Sequence, residues 1–374
     1  MPDTMTIFLA GGGTGGHLYP GISVAQAMKT ILPEANPLFL CTEREIDRTI
    51  LEPTGFEFVP QPIVPPVRTV GGLLKFWSAW RATKDILRKL FKERRPAAVL
   101  GLGGYAAGVA VKMASRRRIP AAILNPDVIP GKANLYLLRD VQAVCCQFES
   151  TRLHLPPPHE AKMRLTGCPI REQMRTLPAR GDAAERLGLD PRLQTLVITG
   201  ASQGAQTVNE AVVASLKSLK LQGWQILHLS GKDHAASVRQ AYREAEISAG
   251  VIDFTPEMSD VWAVANLAIS RAGASSCAEL TACGVPSILM PYPFHKDMHQ
   301  RANAKELVDA GAAILVDDLK ERDKNVQKLR PAIESLLYDA PRRQTMSTAA
   351  KSLGKPDAAE KVAQVVREIV GLDR

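Results

Sequence analysis

The chain has 374 residues, 45% of them hydrophobic and 23% charged, with a formal net charge of +9. That length accommodates two domains of ordinary size, and the composition excludes an intrinsically disordered chain. Residues 1–165 hold 21 Lys/Arg against 13 Asp/Glu, so +8 of the +9 lies in the first half and points to an anionic partner surface, nucleic acid or lipid.

The longest apolar stretch, 96–114, is interrupted by glycines and Lys112, so no membrane span is read. The N-terminus lacks a basic segment and a long apolar run, so no secretory signal is expected. Six cysteines (41, 145, 146, 168, 277, 283) show no metal-ligand spacing and are expected reduced and buried.

Along the chain, short apolar runs alternate with helical patterns. Strands are expected at 6–10, 37–41, 98–102, 121–125 and 142–146, then at 194–199, 225–229, 251–254, 267–270 and 286–290. That alternation implies parallel α/β sheets. Leu196-Val-Ile-Thr-Gly-Ala-Ser-Gln-Gly-Ala205 repeats the opening pattern of strand, small-residue turn and helix. The fold class expected is therefore α/β with two tandem Rossmann-like domains. The seam is placed between Thr166 and Asp190, giving domains 1–168 and 169–355, and the last helix, 356–371, can pack on either.

The most informative stretch is Thr6-Ile-Phe-Leu-Ala-Gly-Gly-Gly-Thr-Gly-Gly-His17. A strand emptying into glycines at a helix entrance leaves backbone N–H groups directed at an anion, most often a phosphate. Gly11-x-Gly13-x-x-Gly16 satisfies the dinucleotide fingerprint, with Glu43 after the second strand, but extra glycines and His17 count against a dehydrogenase. His17 is either a capping residue or a general base, since a helix N-terminus keeps an imidazole neutral.

Gly101-Leu-Gly-Gly-Tyr105 is a second glycine turn, read equally as a diphosphate wrap or as tight helix–sheet packing. In Ser270-Arg-Ala-Gly-Ala-Ser-Ser-Cys-Ala-Glu279, the residues Ala274, Ser275 and Ser276 begin a helix and form another phosphate seat. Glu279 there either accepts ribose hydroxyls or favours the helix dipole. The loop 291–300 carries two His and one Asp, where a metal site is conceivable but needs a third convergent ligand, and no Asp-x-Asp occurs. Residues 73–95 form an amphipathic helix whose Leu73, Phe76, Trp77 and Trp80 end, flanked by Lys/Arg, has the pattern of an interfacial membrane contact. The alternative is a stripe buried in the core.

Five motifs, Gly-Gly-Thr-Gly-Gly-His17, Gly-Leu-Gly-Gly-Tyr105, Ala-Ser-Gln-Gly-Ala205, Arg271-Ala-Gly-Ala-Ser-Ser-Cys-Ala-Glu279 and His295-Lys-Asp-Met-His-Gln300, occur in one order and spacing. Together they resemble the peripheral-membrane N-acetylglucosaminyltransferases of peptidoglycan synthesis, the MurG family, over roughly residues 6–320. The resemblance implies a GT-B glycosyltransferase architecture, with two Rossmann-like domains facing a cleft. It implies inverting transfer of N-acetylglucosamine from UDP-GlcNAc to the muramyl-pentapeptide on undecaprenyl diphosphate, at the cytoplasmic face of the cell membrane. Neither a cofactor nor a metal nor a nucleic-acid partner is implied; the partners are UDP-GlcNAc, the lipid acceptor and an anionic membrane surface.

His17 would be the catalytic base. Donor binding would fall to Thr14, Gly15, Gly16, Asp127, Arg171, Ser202, Gln203, Thr255, Ala274, Ser275, Ser276, Glu279 and Gln300. Gly13, Gly103, Gly104 and Tyr105 would hold the acceptor diphosphate. The sequence departs from the family pattern at Leu124-Asn-Pro-Asp127, at Cys168-Pro-Ile-Arg171 and at His299, where Gln is usual. The departures leave room for a related glycolipid transferase, such as one acting on diacylglycerol, or for a nucleotide-sugar-binding homologue with weakened catalysis.

Overall fold

A computed structural model describes residues 5–67, 69–200 and 204–372. The chain divides into two units, Met1–Arg171 with Pro356–Arg374, and Glu172–Lys355. The first contains β1 (Met5–Ala10), α1 (Gly15–Ile31), β2 (Ala35–Thr42), α2 (Glu45–Leu51), β3 (Glu57–Gln61), α3 (Val70–Arg94), β4 (Ala98–Gly101), α4 (Ala107–Arg116), β5 (Ala121–Asn125), α5 (Lys132–Leu137), β6 (Ala143–Cys146) and β7 (Met163–Leu165). The second contains α6 (Arg180–Arg186), β8 (Gln194–Thr199), α7 (Gln206–Leu216), β9 (Trp224–Leu229), α8 (Ala235–Glu244), β10 (Gly250–Ile252), α9 (Met258–Val264), β11 (Ala265–Ser270), α10 (Ala274–Cys283), β12 (Ser287–Leu289), α11 (His299–Asp309), β13 (Ala313–Leu315), α12 (Arg322–Leu337) and α13 (Ala340–Leu353). The last helix, α14 (Ala358–Val370), returns to the first unit.

The first sheet runs β3-β2-β1-β4-β5-β6-β7 and the second β10-β9-β8-β11-β12-β13. All neighbours pair in parallel. The central strands are apolar throughout because parallel sheets are covered on both faces; Ile7, Phe8, Leu9 and Ala10 are all fully buried. One face of the first sheet packs α3 and α4, through Leu87, Phe91 and Val111. The other packs α1 with α14, whose Val362, Ala363 and Val366 join Leu18 and Met28 in one core. Strands β3, β7 and β13 were not anticipated. The first carries Pro60, and the other two have three residues each, too few to set a period.

Each sheet has the strand order 3-2-1-4-5-6, with β7 added at the far edge of the first. That order reverses direction between β1 and β4 and between β8 and β11. In open parallel sheets, ligands bind beyond the carboxyl ends of the strands at such a reversal. The glycine turns at 11–16 and 101–105 follow β1 and β4; Gly200 follows β8, and the segment 271–273 follows β11.

Candidate functional site

In the first unit, the turn after β1 passes through Gly13 at φ +83, where a side chain would be strained. The fully buried carboxylate of Asp47, at α2, lies under it and accepts from the Gly13 amide at 2.7 and 2.8 Å, from the Thr42 amide at 2.8 Å and from the Thr42 hydroxyl at 2.7 Å. A side chain at Gly12 would collide with that carboxylate. This amends the expectation for Gly13: its amide is already engaged by a protein carboxylate, so Gly13 shapes the turn without presenting an N–H to an anion. Nothing in the sequence pointed to Asp47, which sits thirty-four residues away.

Thr14 stands at the N-cap of α1 in extended conformation, and Gly15 and Gly16 form the first turn. His17 Nδ1 lies 3.2 Å from the Gly12 carbonyl and 3.3 Å from the Thr14 hydroxyl. A carbonyl only accepts, so Nδ1 carries the proton and Nε2 keeps its lone pair. Burial lowers the His17 pKa below that of a free imidazole; the Gly12 hydrogen bond and the charges of Asp127 and Asp47 work in the opposite sense. The ring is therefore neutral at pH 7 with Nε2 able to take a proton.

The second glycine turn packs on this imidazole. Both Gly103 (φ +109) and Gly104 (φ +71) are left-handed, and a Cβ on either would lie 3.1 or 2.9 Å from a ring carbon of His17. Close approach to His17 is thus one reason for these glycines. Tyr105 stands beside Gly13, and Arg44 donates to the Gly13 carbonyl (2.6 Å) with its guanidinium on the same side of the turn as the Tyr105 hydroxyl. Burial, the largest influence, pushes the Tyr105 phenol up, while Arg44 draws it down. Asp127 follows β5 in this unit, and Arg171 lies over the Tyr19 ring of α1, 5.0 Å from its centroid.

In the second unit, α10 begins after Gly273 with Ala274, Ser275 and Ser276 as its first turn and no side-chain cap. Gln300 approaches the same end: a Cβ on Gly273 would lie 4.0 Å from its amide nitrogen, and its side-chain oxygen accepts from the Tyr292 amide at 2.9 Å. Glu279, one turn along, accepts from the Trp262 indole at 3.0 Å, which fixes the carboxylate's direction. Trp262 was not singled out from the sequence. The Thr255 hydroxyl accepts from the Glu257 amide at 3.0 Å, and the adjacent Phe254 ring is exposed. Arg271 is buried on Asp318 at 2.8 Å and bonds the Met290 and Pro291 carbonyls, so it braces the loop after β12. Ser202 and Gln203, expected to bind the donor, lie outside the described residues.

His295, Asp297 and His299 offer ligand atoms within 4.8 Å of one another. Their hydrogen bonds form a chain: His299 Nδ1 donates to Asp297 at 2.7 Å, leaving its Nε2 to accept from His295 Nδ1 at 3.2 Å.

On α3, the amphipathic stripe divides. Leu73 and Trp77 are exposed, as are Val70 and Leu74, whereas Phe76 and Trp80 pack against the core, with Trp80 over Gly108 of α4. The last two are therefore corrected from outward-facing residues to walls of a groove. That groove, about 760 Å3, is also lined by Val109, Met113 and Tyr136 and carries Lys84, Arg88 and Lys132 among its lining residues. No helix among the described residues is long and apolar enough to cross a membrane.

Residues 7–146 match the model of the glycosyltransferase family 28 N-terminal domain, and residues 195–362 match that of the family 28 C-terminal domain. The chain belongs to glycosyltransferase family 28. It is thus a glycosyltransferase built on the two-sheet GT-B plan. A relative from Lactiplantibacillus plantarum, named UDP-N-acetylglucosamine--N-acetylmuramyl-(pentapeptide) pyrophosphoryl-undecaprenol N-acetylglucosamine transferase, is 34% identical over 370 residues, covering 98% of this chain and 100% of that one. One of the same name from Anaeromyxobacter dehalogenans is 36% identical over 370 residues, covering 98% and 93%. The crystal structure of Acinetobacter baumannii MurG shares the fold, with a TM-score of 0.76, 24% identity and coverage of 97% and 99%.

Proposed function

We propose that this family 28 enzyme transfers N-acetylglucosamine from UDP-GlcNAc to muramyl-pentapeptide carried on undecaprenyl diphosphate, the reaction for which its full-length relatives are named. The observation that carries the mechanism is His17, a neutral imidazole with Nε2 unprotonated at the reversal point of the first sheet. In the reaction, the acceptor hydroxyl oxygen bonds to the anomeric carbon while the bond from that carbon to the UDP β-phosphate oxygen breaks. The hydroxyl proton passes to His17 Nε2, and a single displacement inverts the configuration.

The leaving diphosphate gains charge as it departs. The amides of Ala274, Ser275 and Ser276 at the start of α10 suit that charge, the helix dipole being positive there. Glu279, oriented by Trp262, accepts the ribose hydroxyls, and the Thr255 loop faces the uracil. Gln300 contacts the sugar, with Thr14, Gly15, Gly16, Asp127 and Arg171 completing the donor set. Gly103, Gly104 and Tyr105 border the acceptor diphosphate. Leu73 and Trp77, with the neighbouring cations of α3, rest the first unit on the cytoplasmic face of an anionic membrane as a peripheral protein.

A panel of UDP-sugars tested with a soluble muramyl-pentapeptide lipid, following UDP release and the glycosylated product, checks this reading. UDP-GlcNAc is expected to be preferred and to require the acceptor. Preference for another sugar, or transfer to diacylglycerol instead, refutes it.

A further inference from the structure

Asp47 leaves a problem for anion binding at the first glycine turn. A carboxylate already receives the Gly13 amide and lies directly beneath the loop. Any diphosphate approaching from above meets a turn whose own donor at Gly13 is committed, with a negative charge behind it. A cation is required on the outer side, and the chain provides one.

Arg44 reaches across the turn from the start of α2. Its guanidinium donates to the Gly13 carbonyl at 2.6 Å and lies beside the Tyr105 hydroxyl, between the glycine turns after β1 and β4. That acceptor and the neighbouring phenol are both neutral. Among the described residues Arg44 forms no ion pair with a carboxylate, whereas Arg48, four residues on, pairs with Glu52 at 3.6 Å. The residue is exposed to solvent, yet its side chain is held by the Gly13 carbonyl rather than swinging freely. An anchored guanidinium whose charge is not neutralised, with planar donors remaining, matches phosphate oxygens in geometry.

From this arrangement we infer that Arg44 is a substrate-binding residue whose guanidinium, steadied by the Gly13 carbonyl, grips the diphosphate of the lipid acceptor. The inference rests on the glycosyltransferase reading above and adds to it the residue that supplies positive charge. Tyr105 is then a neighbour of both Arg44 and the ligand. Asp47 sets the height of the turn on which both depend.

The test compares wild type with Arg44→Ala and Arg44→Lys in steady-state transfer from UDP-GlcNAc to a short-chain, water-soluble muramyl-peptide prenyl diphosphate. Farnesyl diphosphate and inorganic pyrophosphate serve as competing ligands. Arg44→Ala is expected to raise the acceptor KM about 10- to 100-fold, the loss of a charge-assisted bidentate contact. The UDP-GlcNAc KM should stay within about twofold of wild type, as expected of a contact the donor does not make. Arg44→Lys should recover part of the loss, since it keeps the charge but not the fork. Farnesyl diphosphate should compete better against wild type than against Arg44→Ala.

Stronger competition by pyrophosphate than by farnesyl diphosphate would mark a free-phosphate site and overturn the lipid assignment. An unchanged acceptor KM in a folded Arg44→Ala protein overturns the inference, as does a rise confined to the donor KM. If wild type itself transfers nothing to the lipid, the functional reading fails instead, and the two failures are distinguishable. Melting temperatures of both variants, expected at the wild-type value for an exposed side chain, separate binding from folding.

Discussion

His17 performs its proposed task through the atom that the Gly12 carbonyl leaves unprotonated. Replacing it with alanine removes the proton acceptor, and turnover is expected to fall about 10²-fold or more with little change in donor KM. Its pH behaviour follows from the direction of the shift. The folded pKa lies below that of the free imidazole, so the neutral ring is favoured in the native state and activity is full at neutral pH. Acidification below the free-imidazole value binds more protons to the unfolded chain and weakens this contribution to stability. Asp127 raises the His17 pKa, so Asp127→Asn should move the acid limb of kcat/KM to lower pH, a shift read from the pH profile. Asp47→Ala, by contrast, is expected to act on folding. It strands the buried Gly13 and Thr42 donors, each costing about 1–3 kcal/mol, measurable by denaturant unfolding.

Much of this residue-scale picture was legible in the sequence and part was not. The glycine run and His17 announce a strand-to-helix turn because glycine takes the left-handed backbone of Gly13 without strain, and the structure places the turn there. Asp47, Arg44 and Trp262 carry no local signal. Each acts through a contact made by tertiary pairing, and an acidic, basic or aromatic residue near a helix start is commonplace. The commitment of the Gly13 amide was invisible for the same reason.

Among the elements, α3 divides its work along its length. Thr69 caps its first turn, accepting from the Gly72 amide at 3.1 Å, and Thr69→Ala should loosen that exposed end by about 1 kcal/mol. From Thr83 onward the buried side chains belong to the core. The sequence stripe showed one continuous apolar face, and its period held no information about which residues meet α4. Packing of Trp80 over Gly108 decides that. A double variant and a single variant separate the roles. Leu74→Ser with Trp77→Ser should lower sedimentation with anionic vesicles while leaving the melting temperature near wild type. Trp80→Ala should destabilise the protein by about 3 kcal/mol through the lost core contact, read from denaturant unfolding. Equal vesicle binding by the double variant would return the stripe to an ordinary surface.

Across the whole molecule, the two sheets repeat one strand order, and the sequence showed this as two strand–turn–helix openings roughly half a chain apart. The helix pattern at 356–371 was equally suited to either domain; the apolar face of α14 has the composition of any core helix, and only the structure assigns it to the first unit. A chain ended at Lys355 should therefore lose the cover over Leu18 and Met28 in the first unit. Two unfolding transitions are expected in calorimetry, with only the first unit's lowered, and binding of UDP by the second unit retained.

The return of α14 means that the second unit is inserted between the two segments of the first. During synthesis the middle segment emerges complete and folds while its predecessor still waits for its closing helix. The first unit then reaches its native state after the second, its apolar underside bare until α14 has been made. Chaperone demand in the cell should accordingly concentrate on the nascent N-terminal half.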